Sequence, residues 1–244
     1  MGTLEDFLSQ YDNGNLAFDT VNYRKGAKIT EHFGISEGFV MEDGVMDWGY
    51  VRLHTGVDRG AGSTVNNIKN VIFAPFNFEK SKFEDFHGQQ YGTITNLFNM
   101  EFGFIFRIAH MFPTDIMVMQ DLLDEKAISR NTIIGPAGTY GASTAIHTHT
   151  EVVSVSDHSA VLEDLLHKKF GEEVDKEYDK EFIVQFYRTQ EKFASASEKD
   201  IATDWAKQKK TRGASFINKF FYRYVDASGN KKTRYSTELL WNGL

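Results

Sequence analysis

The spacing of apolar residues changes near Ser156, and this change constrains the fold more than any other feature of the chain. Before it, apolar side chains come in short runs broken by glycine and asparagine. Examples are Asn70-Val-Ile-Phe-Ala74, Tyr91-Gly-Thr-Ile-Thr-Asn-Leu-Phe98 and Phe102-Gly-Phe-Ile-Phe-Arg-Ile-Ala109. Runs of this length between turn residues predict strands of an antiparallel sheet. A count of 21 Phe and 10 Tyr against 3 Pro suits such a sheet. Met117 to Lys126 reads as a short helical insertion. Beyond Ser156 the period is helical: Val161, Leu162, Leu165, Leu166 and Phe170 recur on one face, with Asp157 as cap and Gly171 as stop. A second helix is expected over Val174 to Phe193 and a third over Glu198 to Lys209. Strands Ser215 to Val225 and Lys232 to Trp241 flank Asp226-Ala-Ser-Gly229-Asn, a hairpin signal. The expected class is α+β. An irregular N-terminal arm (1–27) precedes an antiparallel β-sheet-rich module (28–156), and a helical C-terminal extension ending in a β-hairpin (157–244) follows.

Other properties narrow the function. A chain of 244 residues, 41% of them hydrophobic, can bury a core as one domain or two. No stretch approaches the ~20 apolar residues of a membrane-spanning helix. Met1-Gly-Thr-Leu-Glu-Asp-Phe7 lacks the basic start and apolar run of a secretion signal. There is no cysteine, which excludes disulfide staples and thiolate ligands. The net charge of −7 is uneven. Ala206 to Leu244 carry nine Lys and Arg against two Asp and Glu, or +7, which leaves −14 for the rest. This predicts either an anionic partner for the C-terminal end or docking of that end on the chain's own acidic body. Nucleic acid is not expected as a partner, because no binding motif accompanies the charge.

The chemistry gathers in two clusters about ninety residues apart. Arg52-Leu-His54-Thr-Gly56-Val-Asp58 and His147-Thr-His149-Thr-Glu151 can together supply three ligands to a divalent metal and leave one histidine beside it. Three protein ligands and an open position are what a catalytic zinc requires; a closed structural site uses four, usually with cysteine. On a strand, residues two apart share a face, so His147, His149 and Glu151 project together. Gly56 allows a bend between His54 and Asp58. Neither cluster is specific alone. Their order, and His110 at the end of the apolar run Phe106-Arg-Ile-Ala-His110 between them, carry the signal.

Five elements in one order resemble the lysostaphin/LytM-type zinc metalloendopeptidases: Ile29-Thr-Glu-His-Phe33-Gly34, Arg52 to Asp58, Phe73-Ala74-Pro75, Ile108-Ala-His110-Met, and Ile134 to Glu151. The resemblance spans roughly Lys28 to Val155. It departs at Ile108, at Ala145-Ile146, and at Thr148 and Thr150, where the family has other residues. The resemblance implies a ligand set of His54, Asp58 and His149, Zn2+ as the metal, and His110 and His147 as catalytic histidines. Of these, His147 is the candidate general base, and His110 stabilises the oxyanion or shares the proton transfer. Glu151 would orient a ligand from behind. The implied activity is hydrolysis of peptide bonds in bacterial peptidoglycan, in a cross-bridge or a stem peptide. The expected location is extracellular, at the cell wall, or in a phage virion. The basic C-terminal end would bind an anionic wall polymer or virion proteins. The alternative is a catalytically inactive structural or wall-binding protein that keeps the fold. His32, His87, His158 and His167 are expected at the surface or in structural roles.

Overall fold

The computed structural model describes residues 2–6, 29–60, 71–85, 91–130 and 132–238. Most of the expected N-terminal arm, His87, and the end of the strand expected to reach Trp241 lie outside the described residues.

The described chain is sheet-rich and antiparallel throughout. Strands β1 (Ile29–Glu31), β2 (Gly34–Glu42), β3 (Val45–His54), β4 (Val57–Gly60), β5 (Val71–Phe73), β6 (Lys80–Asp85), β7 (Thr93–Asn99) and β8 (Phe104–Ala109) come first. Helix α1 (Pro113–Leu123) and strands β9 (Ile133–Pro136) and β10 (His147–Ser154) follow. Three helices come next, α2 (Ala160–Phe170), α3 (Lys180–Arg188) and α4 (Glu198–Thr211), and then β11 (Ala214–Ile217), β12 (Phe221–Val225) and β13 (Lys231–Tyr235). The main sheet has nine strands, in the order β11-β12-β13-β10-β8-β7-β6, with β4 on β10 and β1 on β4. One edge of β10 is shared end to end: His147 to Thr150 pair with β4, and Val152 and Val153 pair with β13. The C-terminal hairpin therefore continues the sheet that carries the His-x-His pair.

The two faces of this sheet have different roles. Phe106, Ile108, Leu97, Val152 and Phe221 are buried in a core with Leu162, Leu165 and Leu166 of α2 and Ile116 of α1. The next residue of β12, Tyr222, points the other way. It belongs to a second core with Phe33, Ile35, Val51 and Leu53 of the β2–β3 hairpin, Ile183 and Tyr187 of α3, and Ile201 and Trp205 of α4. The helices α3 and α4 thus press the β2–β3 hairpin onto the face that bears the histidines.

Several boundaries move, for local reasons. α1 starts at Pro113 rather than Met117, because proline suits the first helical position, where its missing N–H is not needed. α2 is capped by Ser159, whose Oγ accepts the Leu162 N–H, and not by Asp157; it stops at Gly171 with φ 58°. The long second helix is confined to α3, because Asp179 caps it by accepting the Phe182 N–H at 2.7 Å. Residues 215–225 form two strands. Asn218 Oδ1 accepts the N–H groups of Phe220 and Phe221, both at 2.9 Å, and turns the chain there. The turn at Asp226 to Asn230 forms as expected, with Asp226 Oδ1 accepting the Ser228 and Asn230 N–H groups.

The basic end meets acidic partners within the chain at Arg234–Glu151, Arg223–Glu163 and Lys209–Glu177. Among the described residues no helix is long and apolar enough to cross a membrane.

Candidate metal centre and active site

Register brings the candidate metal ligands together. His149 pairs directly with Asp58 across β10 and β4 and with Ala109 across β10 and β8. His54 ends β3, and the chain turns back through Thr55 and Gly56 into β4. Gly56 is needed less for the bend than for a close approach. A Cβ there would lie 2.4 Å from the Thr150 carbonyl oxygen and 2.8 Å from His149 Nε2.

His54, Asp58 and His149 are all buried, and their ligand atoms lie within 4.8 Å of one another. His149 Nδ1 is 2.7 Å from Asp58 Oδ1 and 3.1 Å from His54 Nε2, and His54 Nε2 is 3.4 Å from Asp58 Oδ1. Donors about 2.0–2.1 Å from a tetrahedral centre stand roughly 3.3–3.4 Å apart, so the triangle fits a zinc-sized ion with little movement. The far nitrogens are also committed. His54 Nδ1–H donates to the His32 carbonyl at 2.9 Å, and His149 Nε2 lies 3.1 Å from Glu151 Oε1. Each imidazole is thus fixed in the ring orientation that a ligand requires.

Without a metal, charge is balanced around His149. Burial alone would push its pKa down, but the carboxylates of Asp58 and Glu151 outweigh this and raise it to about 10. Burial works against ionised Asp58 as well, yet hydrogen bonds with His149 and His54 hold its carboxyl well below the usual range.

His110 and His147 stand beside this group, with ring centroids 4.7 Å apart; His110 lies 5.9 Å from His149. His147 Nδ1–H donates to the Ala145 carbonyl at 2.8 Å, and its Nε2 lies 3.5 Å from Asp58 Oδ2. His110 has a φ of 73°, a left-handed conformation uncommon outside glycine. It is held there by its N–H on the Tyr91 carbonyl and by its own carbonyl accepting the Tyr140 N–H. Its Nδ1–H donates to the Tyr140 carbonyl at 2.8 Å, which leaves Nε2 as the free nitrogen. Burial, and then the charges of His147 and His149, lower its pKa to about 4. All five residues singled out in the sequence therefore meet in one place.

Other residues meet there that the sequence did not mark. The Tyr91 hydroxyl is 3.1 Å from Thr55 Oγ1 and 3.3 Å from Glu151 Oε1. Arg212, from the end of α4, lines the same small cavity as His54, His110 and His149. Neither Tyr91 nor Arg212 could be found from spacing, because each comes from a different element and only the fold brings them together. Glu151, expected behind a ligand from its spacing after His149, is wholly buried between Arg107 and Arg234. Among the remaining histidines, His32 pairs with Glu238 at 2.7 Å and His167 with Asp175 at 3.2 Å.

A groove of about 540 Å³ runs past Asp58 and His147. Its walls include Phe39 and Trp48 of the β2–β3 hairpin, the loop 142–146, and Phe186 and Gln190 beyond the main module. Arg52 lies at its side, paired with Glu31 and 5.7 Å from the Phe39 ring centroid. Of the five clustered residues, Asp58 and His147 line this groove, and Asp58 also lines the small cavity that holds His54, His110 and His149.

No protein-family model and no curated protein sequence matches the chain. Solved structures do show likenesses. The catalytic domain of the antimicrobial peptidase lysostaphin from Staphylococcus simulans aligns at 19% identity and a TM-score of 0.38, over 53% of this chain and 82% of that one. A putative M23 peptidase from Pseudomonas aeruginosa aligns at 19% identity and a TM-score of 0.31, over 56% of this chain and 52% of its own. A zinc-containing peptidase from Vibrio cholerae aligns at 16% identity and a TM-score of 0.33, over 53% of this chain and 38% of its own. Of the latter two proteins the chain therefore spans well under two thirds. Over about half its length, this chain is similar to lysostaphin and to M23 peptidases.

Proposed function

We propose that this chain is a zinc-dependent endopeptidase that hydrolyses peptide bonds of bacterial peptidoglycan, in a cross-bridge or a stem peptide. The observation that carries the reading is the convergence of two imidazoles and one carboxylate, with two further histidines beside them, and a groove that reaches Asp58 and His147. The donor set, nitrogen and oxygen without sulfur, favours zinc over magnesium or calcium.

His54, Asp58 and His149 would hold the ion. Zinc held there would supply a Lewis acid to polarise a peptide carbonyl and would bring the pKa of a water down to about 7. The chain's own residues then move protons. His147 takes the proton of the attacking water at Nε2, since its Nδ1–H is already committed to Ala145. His147 then gives that proton to the amine nitrogen as the C–N bond breaks. His110, neutral near pH 7 with its Nδ1–H on Tyr140, offers Nε2 to share this transfer and donates to the oxygen that gains charge only while it holds the proton. A peptide held in the groove between the β2–β3 hairpin and the loop 142–146 would lie beside Asp58 and His147.

Two alanine variants separate the roles. His149→Ala should lose metal and turnover together. His147→Ala should keep about one zinc per chain and lose turnover by roughly 10²–10⁴-fold, the usual contribution of a general base. Full activity in His147→Ala would remove it from the mechanism. A chain that binds zinc but never cleaves peptidoglycan from several wall types would favour a non-catalytic wall-binding role.

A further inference from the structure

We propose that Arg234, on the C-terminal hairpin, is a positioning residue for the metal ligand His149 and acts on it through Glu151. This rests on the metal reading above and adds to it a part of the chain that lies beyond Lys28 to Val155.

Glu151 follows His149 by two residues on β10 and has no solvent exposure. Its Oε1 accepts from Arg234 Nη1 at 2.9 Å and lies 3.1 Å from His149 Nε2; its Oε2 accepts from Arg107 Nη1 at 3.3 Å. A carboxylate with no access to water stays charged only when it is paired. Arg107 does this partially. Its side chain is 23% exposed, and its Nε is spent on Asn96 Oδ1 at 2.9 Å. Arg234 is the closer and drier partner. Its guanidinium lies 4.8 Å from the Tyr224 ring centroid and 5.8 Å from that of Tyr222, and strand pairing sets its backbone opposite Val153. Little besides Glu151 competes for it, and its Nε has no hydrogen-bond partner.

The consequence reaches the metal. A charged Glu151 accepts the Nε2–H of His149. That hydrogen bond fixes the proton on Nε2 and leaves Nδ1, the nitrogen facing Asp58 and His54, as the coordinating atom. Without Arg234, Glu151 keeps the more distant Arg107 and the neutral Tyr91 hydroxyl, each at 3.3 Å, and is a poorer, less fixed acceptor. The His149 ring then loses its anchor, although no atom that touches the metal has changed.

The test is the zinc dissociation constant of the full chain, measured by competition with a chromophoric chelator, together with the imidazole ¹⁵N shifts of His149. Arg234→Gln should weaken zinc binding about 10- to 100-fold, the usual cost of losing such an outer partner. The Nε2–H signal of His149 should shift or broaden with it. Arg234→Lys, which keeps the charge but not the fork, should fall between Arg234→Gln and the unaltered chain, and it serves as the deciding variant if Arg234→Gln does not fold. A merely structural role would lower the melting temperature and leave the zinc affinity of the folded chain and the ¹⁵N shifts unmoved; that result overturns the proposal. An unaltered chain that binds no zinc would overturn the metal reading and this inference with it.

Discussion

At the end of β8 His110 takes a φ of 73° and gives its Nδ1–H to the Tyr140 carbonyl. Strain of this kind persists only where the surroundings over-determine it, and it concentrates at functional sites. Its folded pKa of about 4 lies below the ordinary 6.5, so the neutral form is the one the fold favours. The unfolded chain then takes up this proton first as the pH falls. The contribution of neutral His110 to stability is full above about 6.5 and is lost progressively between 6.5 and about 4. In the metal-free protein, an NMR titration should find one imidazole with a midpoint near 4; a His110 midpoint between 6 and 7 would contradict the burial described here. At this scale the sequence was legible where the chemistry is local. His54 and Asp58 are four residues apart, and His147 and His149 two apart, so the clusters stand out in one dimension. Tyr91, Arg107 and Arg212 carry no such signal. They are common residue types on separate elements, and only the fold makes them neighbours.

Among the elements, strands were easier to read than helix limits. The runs around Val71, Thr93 and Phe104 are strands because short apolar stretches between turn residues have few other uses. Helix limits depend on which polar side chain wins a cap, and Ser159 and Asp179 win by hydrogen bonds that a periodicity does not encode. The β-hairpin at the C-terminus was visible from Asp226 to Asn230, but its partner was not: nothing in the local sequence says that β13 pairs with the second half of β10. That pairing carries a prediction. Cutting the chain after residue 156 removes β11 to β13 from the main sheet, leaves the backbone of Val152 and Val153 without its β13 partners, and takes Leu162, Leu165 and Leu166 out of the core. Each such large side chain contributes about 2–5 kcal/mol, and a whole domain is stable by only about 5–15 kcal/mol. A fragment 28–156 should therefore show neither a cooperative melt nor zinc binding. A folded, zinc-binding fragment would contradict the integration of the two parts.

For the molecule as a whole, the sheet separates two cores, and the His54–Asp58–His149 group sits on the face covered by α3, α4 and the β2–β3 hairpin. The uneven charge of the sequence is met in part inside the fold, where Arg234 reaches Glu151 beside the ligand His149. Binding of an ion that favours the folded state stabilises the entire molecule. Zinc at about a hundred times its dissociation constant should add about 2.7 kcal/mol, or about 5–10 °C in melting temperature for a chain of this size. Loading should also release a proton, because His149 without metal keeps its second proton up to a pKa of about 10, and a coordinating imidazole cannot. Calorimetry of zinc binding in buffers of different ionisation enthalpy reads that release directly. Zinc-dependent hydrolysis is read directly from the release of free amines from isolated peptidoglycan by the zinc-loaded chain, before and after chelation. Release that chelator abolishes and added zinc restores is the expected result. Release that chelator leaves intact would contradict a metal-dependent mechanism.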